Sequence, residues 1–244
     1  MICAEVVETR AVNGYTIQII PDESGDGHAN PRDGDNLGVM LANGHRRYTL
    51  GDENFASTIP EYEPAAQAIT EFAGEGNLGR FIPWAKTELG ATVVLPLWLL
   101  DHSGLAMRTG PFREDPAGWD CAIVGFIFDT TRTREQTGAS RESIEQQLLD
   151  EVEAYNRYLG GDVYGYQILD PDADIVDSCW GFLGSDHVMD DAVRAASDLK
   201  APQWVMLAGE VTTGLTAYGP YPNPQDAHEE HPTGTLMLLK PLTR

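Results

Sequence analysis

The sequence predicts an α+β fold: a single domain, residues 1–244, in which three to four helices pack against one mixed β-sheet. Two apolar runs of eight residues, 93–100 and 121–128, are too short for a typical helix and predict strands buried on both faces. Residues 140–159 instead repeat apolar side chains at three- and four-residue steps, as an amphipathic helix does. No repeat and no linker divides the chain, so we expect one domain.

In the N-terminal part, residues 15–20 alternate apolar and polar side chains, which predicts a half-buried strand. Asn43-Gly44 lies between two strand-like runs and predicts a hairpin with a two-residue turn. Helices are expected at residues 64–74 and 83–89, because each begins with Pro and is followed or ended by Gly.

In the C-terminal part, polar residues 130–138 are expected to connect the second apolar strand to the long helix, which Ser140 caps. The same periodicities then predict strands at 163–169, 175–183, 204–207 and 235–239, a helix at 186–199 and a proline-rich turn region at 220–232.

Charge is the strongest compositional signal. The chain has 38 acidic and 16 basic residues, a formal charge of −22. Nucleic-acid affinity depends on cationic groups that neutralise phosphates, so direct binding to DNA or RNA is not expected. Three readings of the acidity stay open: imitation of nucleic acid toward a protein partner, adaptation to high salt, and an ordinary solvated acidic surface.

The cysteines and the apolar runs indicate the cellular environment. The three cysteines are odd in number and lack metal-type spacing, which favours reduced thiols in the cytosol. No apolar run approaches the ~20 residues of a membrane span. We therefore expect a soluble cytoplasmic protein without a membrane partner.

Two motifs resemble known catalytic signatures but fail on geometry. Asp101-His102-Ser103 has the letters of a hydrolase triad, yet neighbouring residues of a strand point to opposite faces. The segment 228–231, His-Glu-Glu-His, resembles a zinc-protease motif, but its histidines are three residues apart and the nearby prolines argue against the required helix.

The candidate catalytic residues lie at predicted strand ends and in the hairpin: Asp101, His102, Asp120 and His45. Carboxylates beside an imidazole can hold a divalent metal or share a proton. Because side chains alternate along a strand, we expect only one of Asp101 and His102 to join Asp120. It is Asp101 if the segment stays extended, and His102 if the chain turns at Ser103-Gly104.

Weaker metal candidates are carboxylates in the N-terminal loop and beside the hairpin: Asp22, Asp26, Asp33, Asp35 and Asp52. The first three, with Ser24 and Gly27, match part of a calcium-loop spacing. A turn-rich loop explains the same residues, since Asp and Asn close turns through backbone hydrogen bonds. No cofactor is predicted, although a divalent metal stays an option.

Several blocks of sequence carry a family resemblance: Asp35-Asn36-Leu37-Gly38, His45-Arg46-Arg47-Tyr48, Asp101-His102-Ser103-Gly104, Trp119-Asp120, Gly161-Asp162-Val163-Tyr164-Gly165 and Asp177-Ser178-Cys179-Trp180-Gly181. With these blocks in this order, the chain resembles a family of uncharacterised proteins encoded by bacteriophages, plasmids and integrated mobile elements. Family members usually have Ser-Gly after the Trp-Asp pair, where this chain has Cys121-Ala122. The resemblance implies a mobile-element context and brings no established activity.

Three functional hypotheses follow. The first is a mobile-element accessory protein that binds another protein through an acidic surface. The second is a metal-assisted hydrolase that uses the Asp/His cluster. The third is a virion or assembly component. Whether the protein is an enzyme stays open at this level.

Overall fold

The computed structural model describes residues 5–22, 30–42, 47–52, 62–115, 117–210 and 214–239. These residues form eleven strands and six α-helices in three antiparallel sheets. The α+β class is confirmed, whereas the single mixed sheet with three to four helices is wrong. Every strand pair in the described ranges is antiparallel. Pairs of consecutive strands, such as β1-β2 and β7-β8, need no crossover helix.

The strands are β1 Glu8–Val12, β2 Tyr15–Pro21, β3 Val39–Ala42, β4 Val94–Asp101, β5 Leu105–Arg108, β6 Cys121–Phe128, β7 Val163–Leu169, β8 Ile175–Leu183, β9 Gln203–Glu210, β10 Gly214–Tyr221 and β11 Thr235–Leu239. The helices are α1 Glu63–Gly74, α2 Phe81–Glu88, α3 Thr131–Thr137, α4 Arg141–Leu159, α5 Val188–Asp198 and α6 Pro224–Glu230. Short 3-10 helices occur at Pro31–Asp33 and Leu78–Arg80. No helix in the described ranges is both long and apolar enough to cross a membrane.

The chain divides into two compact units. The first comprises Met1–Asp26 and Val163–Arg244, and the second comprises Gly27–Asp162. The single-domain prediction for residues 1–244 concerns whether the chain unfolds cooperatively. Compactness does not measure cooperativity, so this stays a prediction.

The first unit holds two of the sheets. One has the strand order β1-β2-β7-β8, and α5 packs on one of its faces. The alternation predicted for residues 15–20 puts Tyr15, Ile17 and Ile19 in this core, where they meet Val188 and Ala192 of the helix. The other sheet has the order β10-β9-β11, and α6 packs against it.

The proline-rich region 220–232 contains a helix that the sequence reading excluded. Pro224 occupies the first turn of α6, where a missing N–H costs nothing, and Asn223 caps the helix by accepting a hydrogen bond from the Asp226 N–H at 2.9 Å. His228 lies on this helix and His231 follows it. Pro224 therefore marks the first turn of the helix and does not prevent it from forming.

The second unit is a three-layer structure around the sheet β3-β6-β4-β5. Helices α1 and α2 bury one face, on which Phe126 and Phe128 lie, and α4 buries the opposite face, which carries Ile127 and Leu97. Burial on both faces explains why β4 and β6 read as continuous apolar runs. This confirms the prediction for the two central strands.

One connection differs from expectation, and another lies outside the described residues. The predicted polar linker 130–138 contains α3, because Thr130 and Thr133 form a capping box and Gly138 ends the helix with a φ of 61°. The Asn43-Gly44 turn lies outside the described residues. The predicted hairpin therefore stays a prediction; among the described residues, Leu41 forms an isolated bridge with Gly51.

Candidate functional site

A buried arginine is the centre of the polar structure in the second unit. Nε and Nη2 of Arg32 donate to the two carboxylate oxygens of Asp52, at 2.7 and 3.1 Å. Nη1 donates to Glu151 at 2.9 Å, and Nη2 also donates to the Gly38 carbonyl oxygen at 2.7 Å. The Arg32 side chain is only 2% exposed. Burial alone would lower the pKa of Arg32, but its hydrogen bonds to Asp52 and Glu151 raise it, so the guanidinium stays charged.

The two carboxylates also bind the backbone that leads into β3. Glu151 accepts hydrogen bonds from the Leu37 N–H at 2.7 Å and the Gly38 N–H at 3.2 Å, and Asp52 accepts one from the Met40 N–H at 2.8 Å. The network thus joins the 3-10 helix, the start of β3 and α4. Its geometry is that of a structural clamp, because the charged groups in it already have partners.

Asp52 was predicted as a metal candidate, but its carboxylate is already part of the clamp. Both of its carboxylate oxygens accept from Arg32, and one of them also accepts from Met40. Asp33 is exposed at the end of the 3-10 helix and Asp35 is exposed just beyond it. Within the described ranges, no group of three or more His, Cys, Asp or Glu side chains could hold a metal ion.

The remaining metal and catalytic candidates are only partly described. Asp26 and the other loop residues of the calcium-type spacing at 23–29 lie outside the described residues, as does His45. Asp22 lies in the first unit, where its N–H donates to the Val163 carbonyl oxygen at 2.8 Å.

His102 and Asp120 form a close pair among the predicted catalytic residues that the structure describes. The chain turns at residues 102–104 after β4 ends at Asp101, and His102 Nδ1 lies 3.1 Å from Asp120 Oδ2. This is the turned alternative predicted from the sequence. The side chains are 72% and 45% exposed, so water screens the pair and it contributes little stability.

The sheet separates the described catalytic candidates from the metal candidate Asp52. Asp101 and Asp120 lie where β4 ends and β6 begins, and a backbone hydrogen bond of 3.0 Å joins them. Met40, which binds Asp52, pairs with Ile127 near the other end of β6. At about 3.3 Å per residue, the two ends lie roughly 20 Å apart. The described members of the cluster therefore do not converge on one pocket.

Asp115 supports the loop that precedes β6. Its Oδ2 accepts hydrogen bonds from the Asp120 N–H at 2.7 Å and the Cys121 N–H at 3.1 Å. The bond from the Asp120 backbone is the main reason that the pKa of Asp115 is lowered, because it favours the ionised carboxylate.

Asp115→Asn is expected to destabilise the protein at neutral pH. Because the pKa of Asp115 is lower in the folded state, its contribution is present above the ordinary carboxyl pKa of about 3.9 and is lost as the pH falls through the folded value. Urea unfolding from pH 7 down to pH 3 should show the difference between the wild type and D115N shrink below about pH 4. Glu153→Gln, at an exposed i,i+4 pair, is the control and should show a smaller difference. A difference for D115N that is constant with pH would contradict this role.

Sequence reasoning missed Arg32, Glu151 and a second buried carboxylate, Asp129. Asp129 accepts hydrogen bonds from the Thr92 and Val93 N–H groups, at 2.9 and 2.7 Å, and pairs with Arg134. For two of these three residues, the sequence holds a local signal that they are buried. Glu151 lies beside the apolar stripe of α4, and Asp129 directly follows the apolar run of β6. Nothing in the local sequence distinguishes Arg32 from an exposed loop arginine.

A cavity of about 520 Å³ lies beside the clamp. Its walls come from the segment before β3, from α3 and from α4, and they include Asp35, Arg132 and Gln147. Arg32 and Asp52 line it as well, although they bind each other. This volume falls within the range of small-molecule sites.

The described fold and site define an α+β protein built on three antiparallel sheets, with a clamp around a buried arginine and a cavity in its second unit. No protein-family model matches the chain, and no curated protein or solved structure matches it significantly.

Proposed function

We propose that the protein acts by binding another protein, as an accessory factor in the mobile-element setting that the sequence resemblance implies. The contact surface in this proposal is one face of the sheet β10-β9-β11, which we call the open face. Its members are Val205, Leu207, Leu215, Met237 and Leu239.

The strand register supports this grouping. Met237 pairs with Val205, and Leu207 lies two residues further along β9, so the three side chains project on the same side. Ala217 pairs with Leu207, which brings Leu215 of β10 to that side as well. The open face therefore extends across all three strands.

Helix α6 packs on the opposite face of the sheet. Tyr218 pairs with Met206 and lies against His231, which follows the helix, with 3.8 Å between ring centroids. Met206 on that side is fully buried. One face of the sheet thus packs against the helix, with Tyr218 still 38% exposed, and the other carries the more exposed Leu215, Met237 and Leu239.

Exposure of the open face is the observation that carries the proposal. Leu215, Met237 and Leu239 are 54%, 49% and 44% exposed. Single exposed apolar residues are ordinary, but a group of them on one sheet face is typical of a protein–protein contact, since burying it is favourable by about 25 cal/mol per Å².

Charge indicates the kind of partner. Two copies of this chain would bring together two molecules of charge −22, and their repulsion opposes self-association. A partner with an apolar centre and a Lys- or Arg-rich rim is attracted instead. Such a partner fits both the open face and the net negative charge of the chain.

A random-peptide library displayed on phage tests the proposal. We expect the wild type to enrich peptides that combine apolar residues with Lys or Arg. Met237→Glu should weaken binding of a synthesised hit about tenfold or more, because it places a charge in the centre of the contact. Raising the salt concentration should also weaken binding, since part of the attraction is electrostatic.

Thr216→Glu is the matched control. It adds the same charge on β10, next to Leu215 but on the other side of the sheet, and should leave binding unchanged. Failure to enrich any peptide, or hits that bind M237E as well as the wild type, would overturn the open face as a binding surface. Concentration-dependent dimerisation that M237E abolishes would instead assign the face to a second copy.

The other two hypotheses gain no observation from the described residues. The metal-assisted hydrolase needs converging ligands, whereas the described Asp and His candidates are divided between the two ends of a sheet. No feature of the described residues specifically supports a role in the virion or in assembly.

A further inference from the structure

We propose that the cavity beside the clamp binds a small zwitterion, of the class of free amino acids and short peptides. It would hold the ligand's carboxylate at Arg132 and its ammonium group at Asp35. This proposal is independent of the open face, which belongs to the first unit.

Arg132 is an exposed cation that has no partner among the described residues. Among the described residues, its guanidinium forms no hydrogen bond or ion pair, although the chain carries 38 acidic residues. Arg32 and Arg134, by contrast, are both bound to buried carboxylates. A guanidinium offers a planar set of donors that matches a carboxylate, so Arg132 presents an unused anion-binding group to the cavity.

The helices around Arg132 add neutral donors. Arg132 and Gln136 are four residues apart on α3 and both line the cavity, so they lie on one side of that helix. Gln147 of α4 lines the cavity as well. Two amide groups and a guanidinium are a suitable set for holding both oxygens of a carboxylate.

Asp35 supplies the opposite charge from the segment before β3. Like Arg132, it lines the cavity and has no hydrogen bond or ion pair within the described parts of the chain. The two groups line one cavity without pairing with each other. A ligand that carries both charges would satisfy both groups at once.

The overall charge selects against a ligand that is only anionic. A field from −22 charges repels phosphate or citrate, whereas a zwitterion has no net charge and gains from both walls. Arg32 and Asp52, the other two charged residues of the lining, form an ion pair with no net charge. The lining thus favours a ligand of zero net charge.

Isothermal titration calorimetry on the full chain tests this with the standard amino acids and glycylglycine as probes, each measured separately. We expect saturable binding of at least one probe at one site. N-acetylation of that probe removes its ammonium charge and amidation removes its carboxylate, and each change should weaken binding about tenfold or more. Inorganic phosphate and citrate should bind more weakly than the zwitterion.

Variants assign the two ends of the ligand. Arg132→Gln should weaken binding of the unmodified probe but change binding of its amidated form little, because that form has already lost its carboxylate. Asp35→Asn should likewise weaken binding of the unmodified probe but change binding of its acetylated form little. Arg113→Gln and Asp33→Asn are the controls, because these residues are exposed, as Arg132 and Asp35 are, but lie outside the cavity lining. The proposal would be overturned if no probe bound, if phosphate or citrate bound more tightly than the zwitterion, or if R132Q and D35N bound the probe as tightly as the wild type does.

Discussion

Arg32→Met is expected to lower the free energy of unfolding by about 3–5 kcal/mol. The substitution removes the cation that pairs with both Asp52 and Glu151 in the clamp, and the side chains of these two residues are only 4% and 11% exposed. Met keeps most of the volume of the side chain, so the loss comes mainly from uncompensated negative charge. Equilibrium unfolding in urea, followed by circular dichroism, measures the change.

Arg194→Met provides the matched control for this effect. Arg194 also pairs with an aspartate, Asp191 at 2.8 Å, but the two side chains are 74% and 43% exposed. Such a surface pair is worth about 0–1 kcal/mol, so R194M should be close to the wild type. A loss of less than about 1 kcal/mol for R32M would show that the clamp is not a main source of stability.

Phe81→Ala should cost about 3–5 kcal/mol. The Phe81 ring is fully buried and stacks on Phe126 at 4.6 Å between centroids, with Phe128 at 5.7 Å. Truncation removes this ring from between α2 and the sheet and leaves a cavity that the two strand phenylalanines cannot fill without leaving their rotamers. The same urea experiment measures the loss.

Trp119→Ala removes an even larger aromatic side chain from the surface. Trp119 is 86% exposed, so its loss should change stability by no more than about 0.5 kcal/mol. Equal effects of F81A and W119A would contradict the assignment of Phe81 to the centre of this core. Comparing F81A with W119A thus shows whether the loss of stability comes from removing a buried side chain or from removing any aromatic ring.

Local patterns were sufficient for most of the longer elements. The strands β6, β7, β8 and β11 begin and end where the apolar periodicity predicted, and α4 begins after Ser140, which accepts a hydrogen bond from the Ser143 N–H. These signals depend on neighbours within about one helical turn or one strand. They can therefore be recognised in the sequence without knowledge of the fold.

Elements with a weak local pattern were missed. Helix α3 has no buried residue, so its apolar period is absent and only the Thr130–Thr133 capping box marks it. Strand β10 is exposed along most of its length and does not alternate. Helix α6 was excluded because its prolines were read as breakers, although Pro at the first turn of a helix is favourable. Helices α3 and α6 thus had local capping signals, whereas strand β10 is defined by its pairing with β9.

The sequence by itself determined the α+β class, the acidic character and the position of the central strands, because composition and periodicity are properties of short segments. Only the tertiary structure decided which strands pair and which polar side chains meet. Antiparallel pairing of β4 with β6 brings Asp101 and Asp120 to one end of a sheet, while the pairing of β3 with β6 holds Asp52 near the other. Arg32 meets Glu151, 119 residues away in the chain, because α4 packs across the sheet beside the start of β3. Contacts at that separation depend on how buried surfaces fit together, and no local pattern encodes them.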